Sequence, residues 1–144
     1  WTPTEWCAKD TAWRSIWDLT ALAPTHIYIG DYKSGKIYPY GEGFGQLHLS
    51  AVIGLNKWKE VPKVDATYIY MEHKKITNIK VFRDPNHGEV DEKGRPWPHL
   101  QQVQEYFDKE FLKVQEEKKW DPTPNENCKY CQATRAQCQY SRKL

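Results

Sequence analysis

No stretch of this chain approaches the ~20 consecutive apolar residues that a membrane-spanning helix needs. A basic, then apolar, then small-residue secretory leader is also missing from the sequence. Charge of one sign is scarce: 21 Lys and Arg offset 19 Asp and Glu, leaving a formal net charge of +2. That balance excludes a uniformly basic nucleic-acid coat, but it leaves room for a local basic groove. Methionine occurs once, at Met71, and the first residue is Trp1. The expectation is therefore of a fragment whose upstream segment, including an N-terminal helix, is missing. Neither an internal repeat nor a low-complexity tract interrupts the 144 residues.

What remains is enough for one domain with a real core. Aromatic residues make up 14%, which is high. Packing accounts for most of them, and some could stack on bases. The four cysteines are unevenly placed. Cys7 stands alone, while Cys128, Cys131 and Cys138 form a C-x2-C-x6-C cluster. In a chain with no secretory leader, C-x-x-C spacing points to an intracellular metal or redox site rather than to disulfides.

Hydrophobic periodicity sets out the elements. Residues 13–19 alternate as a strand with Arg14, Ile16 and Asp18 on one face, and residues 20–25 are a short loop. A second strand covers 26–33, ended by the turn Ser34-Gly35-Lys36. Phe44, Leu47, Ala51, Val52, Leu55 and Trp58 keep helical spacing within 43–58, with Gln46 near the start. Strands follow at 66–72 and 76–83, joined by His73-Lys74-Lys75 as a hairpin. Residues 84–96 read as a surface loop. Leu100, Val103, Phe107, Phe111 and Val114 then stripe a helix from Pro98 to about residue 118. Asp121-Pro122-Thr123-Pro124-Asn125 breaks that helix and leads into the cysteines. This order predicts an α/β fold with a mixed sheet flanked by helices. It also predicts two parts, a core over 1–120 and a cysteine-rich, metal-binding tail over 121–144. His26, His48, His73, His87 and His99 have no ligand spacing and read as loop or surface residues.

The most informative residues are Asp31-Tyr32-Lys33 at the end of Ile27-Tyr28-Ile29-Gly30. Alternate side chains of a strand share a face, so Ile27, Ile29, Asp31 and Lys33 point one way. Such a strand begins in a core and ends in a polar cleft. A charge held there is costly unless it is paired or bound to a metal. A carboxylate and a lysine fixed together at a strand end are what metal-assisted phosphodiester hydrolysis requires. The plainer reading is a surface ion pair worth little.

Asp18 stands thirteen residues before Asp31. With Asp31-Tyr32-Lys33-Ser34-Gly35, the pattern resembles the PD-(D/E)XK nuclease superfamily in its RecB-type branch, which includes phage exonucleases. The D-Y-K-S/T-G form typical of that branch matches residue by residue. Gln46-Leu47 fits the Q-L-x-x-Y of the following helix, with Ser50 in place of the tyrosine. Pro124, Cys128, Cys131 and Cys138 fit the branch's C-terminal cysteine motif. The resemblance runs over residues 13–138.

The resemblance implies a restriction-endonuclease-like sheet and a Mg2+- or Mn2+-dependent deoxyribonuclease, with exonuclease action on DNA. Asp18, Asp31 and the Tyr32 carbonyl would ligate the metal. Lys33 would position the attacking water or stabilise charge on the phosphorane, and Gln46 would orient the lysine or the phosphate. Hard oxygen donors suit these cations. The upstream His or Glu that usually completes such a site is not found in this sequence. The cysteines would hold an iron–sulfur cluster, with Cys7 as the available fourth ligand, although it lies only eleven residues before Asp18. Zinc is the other metal such a set suits. Implied partners are DNA and proteins of recombination or replication, with no membrane, inside a bacterial host if phage-encoded. Two rival readings use the same residues. One is a non-catalytic DNA-binding module with a vestigial site and a structural cysteine tail. The other is a zinc-stabilised interaction domain.

Overall fold

A computed structural model describes residues 13–35, 37, 44–118, 124, 128, 133, 134, 136, 138 and 139. The chain divides into two compact units, residues 1–111 and 112–144. No helix among the described residues is long and apolar enough to cross a membrane.

The elements are β1 (Leu19–Ala23), β2 (His26–Lys33), α1 (Gln46–Lys57), β3 (Lys63–Tyr70), β4 (Lys75–Phe82) and α2 (Leu100–Glu116). They make an α/β fold with one four-stranded mixed sheet in the order β1-β2-β3-β4. β1 and β2 are antiparallel, as are β3 and β4, while β2 and β3 are parallel. A parallel pair cannot be joined by a tight turn, and α1 supplies the crossover. Register lines up Ile27, Val64 and Val81 in one row and Ile29, Ala66 and Ile79 in the next. All six are buried. They share a core with Leu47, Ala51, Val52 and Leu55 of α1 and with Val103 and Phe107 of α2. The buried side chains of α1, with Val103 and Phe107 of α2, thus belong to one core with the Ile27 face of the sheet. Gly54 lets α1 lie close, because a Cβ there would come within 3.2 Å of Ile29 Cδ1. On the opposite face Leu19, Tyr28, Tyr32 and Ile76 are exposed.

The expected strand over 13–19 is corrected. The first strand is Leu19–Ala23, whose five residues pair with Gly30–His26 around the Pro24-Thr25 turn. The alternation at Trp13, Ser15 and Trp17 is real, but side-chain packing explains it rather than strand pairing. Trp13 meets the Phe107 ring edge-on at 5.4 Å, Trp17 lies 6.0 Å from Trp58, and Ser15 Oγ is 2.7 Å from Ser50 Oγ. β3 begins earlier than expected, at Lys63, and the β3–β4 turn sits at 71–74 with Lys74 at a φ of 47°. The predicted loop over 84–96 carries its own bridge between Val90 and Pro96.

Both ends of α1 are fixed. At its C-terminus the Arg83 guanidinium donates to the carbonyls of Leu55 (2.7 Å), Trp58 (3.1 Å) and Val61 (3.1 Å). Arg83 thus ties acceptors of the helix end to its loop, where the Trp58 carbonyl also takes the Val61 N–H. At its N-terminus His48 departs from the expected surface role. It is buried, it packs on Phe44 (4.8 Å), and its Nδ1 accepts the Gly45 N–H at 3.3 Å. Burial lowers its pKa from 6.5 to about 4. The unfolded chain therefore binds a proton there that the folded chain refuses between those two values. Stability from this group is complete above pH 6.5 and is lost as pH falls toward 4, by up to about 3 kcal/mol. Thermal melts of wild type and His48→Gln should diverge in that window, with the variant losing less on acidification. Parallel curves would show that His48 does not titrate as described.

Candidate active site

β2 outruns its neighbour. The β1 pairing stops at Leu19 with Gly30, whereas β3 continues opposite Asp31 (Tyr68), Tyr32 (Ile69) and Lys33 (Tyr70). The last three residues of β2 are thus held from one side only. The Met71 N–H donates to the Lys33 carbonyl (3.1 Å), so Lys33 turns its backbone groups to β3. Tyr32, one residue earlier, turns its N–H and carbonyl the other way. Its N–H donates to Asp18 Oδ2 at 2.8 Å. Asp18, directly before β1, is therefore tied to the Tyr32 peptide rather than to the Asp31 side chain.

Asp31 and Lys33 project on the face that carries Ile27 and Ile29. Lys33 Nζ lies 2.6 Å from Asp31 Oδ2, with the carboxylate the more buried partner. The approach is off the hydrogen-bonding direction, so this oxygen has an ionic neighbour and no hydrogen bond. Gln46, the first residue of α1, closes the cluster. Its Oε1 accepts from Lys33 Nζ at 3.3 Å, and its Nε2 reaches Asp31 Oδ1 at 3.5 Å. The structure thus brings Asp31, Lys33 and Gln46 together and adds Asp18 through the backbone.

One residue of the cluster was not anticipated. Tyr68 of β3 donates its hydroxyl to Gln46 Oε1 at 3.4 Å, and its ring lies 4.8 Å beneath Lys33 Nζ. Its pKa is pushed up to about 12, chiefly by burial, then by the Asp31 and Tyr70 charges, against a hydrogen bond from the Leu47 amide. The hydroxyl is therefore a donor at neutral pH. Only the β2–β3 register places Tyr68 beside Asp31, and local sequence does not encode that pairing. Ser50, the position of the motif tyrosine, is buried against Ser15 instead.

The donors fit a hard divalent cation. Two carboxylates and a main-chain carbonyl offer only oxygen, the donor type that hard divalent cations prefer. Among the described residues no group of three or more His, Cys, Asp or Glu side chains could hold a metal. Asp18 and Asp31 are two carboxylates, short of such a group. Of the expected cysteine ligands, Cys128 and Cys138 are half-buried, and the Cys138 N–H donates to the Thr134 carbonyl (2.9 Å). Cys7 and Cys131 lie outside the described residues.

A mixed sheet gathers a carboxylate, a lysine and a glutamine at the end of a parallel strand. The chain matches the PD-(D/E)XK nuclease superfamily over residues 15–139, and it belongs to that superfamily. No curated protein sequence and no solved structure shows significant similarity to it.

Proposed function

We propose that this member of the superfamily is a metal-dependent deoxyribonuclease of the RecB-type, phage-exonuclease branch, working inside the cell. The observation that carries this reading is the gathering of Lys33 and Gln46 on Asp31 at the open end of β2, with Asp18 fastened one peptide away. Asp18, Asp31 and the Tyr32 carbonyl would hold Mg2+ or Mn2+. When bound, the cation supplies charge neutralisation at the scissile phosphate and lowers the pKa of the attacking water. Lys33 places its ammonium where negative charge grows as the water attacks the phosphorus. Gln46 keeps that ammonium in place through Oε1. Asp31 sets the lysine's position in the resting site. Proteins of recombination or replication are the proposed partners.

The division into a nuclease core over 1–120 and a metal-binding tail over 121–144 belongs to the same proposal. Residues 121–144 contain no Val or Ile and a single Leu, so apolar burial offsets little of their ordering entropy. Thiolate–metal bonds supply the difference, since ligand binding becomes folding energy in small metal sites. An iron–sulfur cluster on Cys128, Cys131 and Cys138 is preferred over zinc.

Two experiments test these readings. Cleavage of end-labelled DNA in Mg2+ should vanish in Asp31→Ala. In Lys33→Ala, kcat should fall by roughly 10²–10³, the size of losing one transition-state charge partner, with DNA affinity nearly unchanged. Full activity in Asp31→Ala would remove the carboxylate from the chemistry. Equal losses of binding and rate in Lys33→Ala would make the lysine a simple phosphate contact. Separately, anaerobically purified protein should be brown, absorb broadly near roughly 400 nm, and lose that colour in Cys131→Ser. Colourless protein with stoichiometric zinc would reject the cluster and keep the clamp.

A further inference from the structure

We propose that Tyr68 is a positioning residue of this site, supplying from β3 the tyrosine that the following helix lacks. The proposal rests on the nuclease reading above. In the motif Q-x-x-x-Y the tyrosine lies one turn after the glutamine on the same helix, and here that position is Ser50. Ser50 is 3% exposed, and its hydroxyl is committed to Ser15 at 2.7 Å, so it turns away from the cluster. Tyr68 comes from a different element. Its backbone lies directly opposite Asp31 in the parallel ladder, which puts its side chain on the same face.

Its two halves act on two different groups. The hydroxyl donates to Gln46 Oε1, the same oxygen that accepts from Lys33. A carboxamide has one acceptor end and one donor end. Two donors converging on the oxygen fix which way the amide faces and leave Nε2 directed at Asp31 Oδ1. A flipped amide would set its NH2 against the lysine ammonium and its oxygen against the carboxylate. The ring is the second half. Lys33 Nζ sits over its face at 4.8 Å, inside the range where a cation is attracted by an aromatic quadrupole. Lys33 is thereby held by a ring, an amide oxygen and a carboxylate, and it keeps its position if one of them is drawn away. Tyr70 braces the Tyr68 ring edge-on at 6.0 Å.

Two variants separate the halves. Tyr68→Phe keeps the ring and removes the hydroxyl, and Tyr68→Leu removes both. In Tyr68→Phe, kcat should drop about tenfold, the scale of one hydrogen bond felt at the transition state, with KM within about twofold. Tyr68→Leu should lose about a further tenfold as the ring contact goes. The independent readout is NMR of the intact chain. The Gln46 side-chain amide resonances should shift in both variants. The Lys33 ε-methylene should keep its ring-current shift in Tyr68→Phe and lose it in Tyr68→Leu. Wild-type kcat in Tyr68→Phe, or Gln46 amide signals that do not move, would overturn the proposal. If wild-type protein cleaves no DNA, the nuclease reading falls. The Gln46 and Lys33 spectra then decide the positioning role by themselves.

Discussion

Parallel pairing of β2 with β3 is the constraint on which the site depends. Two parallel strands must be joined by a crossover, and here the crossover is α1. The chain leaves β2 at Lys33 and must return to the far end of the sheet before β3 can start at Lys63. α1 therefore begins over the carboxyl ends of β2 and β3. Ligand sites of open α/β sheets form outside that end of the strands. Gln46, as the first helical residue, lands on Asp31 and Lys33 because of this route. Gly54, about two turns further along the helix, allows it to lie close to Ile29. Arg83, directly after β4, anchors the opposite helix end.

The same route sets the electrostatics. The rows holding Ile27 and Ile29 are fully buried, and the next two rows hold Asp31 with Tyr68 and Lys33 with Tyr70. The face passes from hydrocarbon to charge within two residues. A carboxylate on that border is partly desolvated, and Lys33 and the Gln46 amide compensate it at close range. Pairs of this kind give little net stability. What they provide is arrangement: a carboxylate in close contact with an ammonium that is held by three neighbours.

Much of this was legible in the chain. The strand over 26–33 was readable because its apolar residues alternate and because charge appears on the buried face only at its end. α1 was readable from its helical spacing, with Gln46 at the start. The first strand was misplaced, because Trp13, Ser15 and Trp17 alternate as a strand does while packing on Phe107, Ser50 and Trp58. Only the partner strand reveals that Leu19–Ala23 is the paired segment. The sequence carries no mark of His48 as a cap acceptor, because nothing in a helical position four residues before Val52 distinguishes it from a surface histidine. Tyr68 is hidden from the sequence for a related reason. Its partner lies 37 residues earlier (68 − 31), and the register between them is set by the length and seat of α1.

On the proposed reading, the open end of β2 binds a divalent cation. Paramagnetic broadening of backbone amide signals by substoichiometric Mn2+ tests it directly, without reference to turnover. Signals of residues 18, 31, 32 and 33 should broaden first, and excess Mg2+ should restore them by competition. Broadening centred elsewhere on the described surface, such as the carboxylates at Glu89 and Asp91, with the β2 end untouched, would contradict the account.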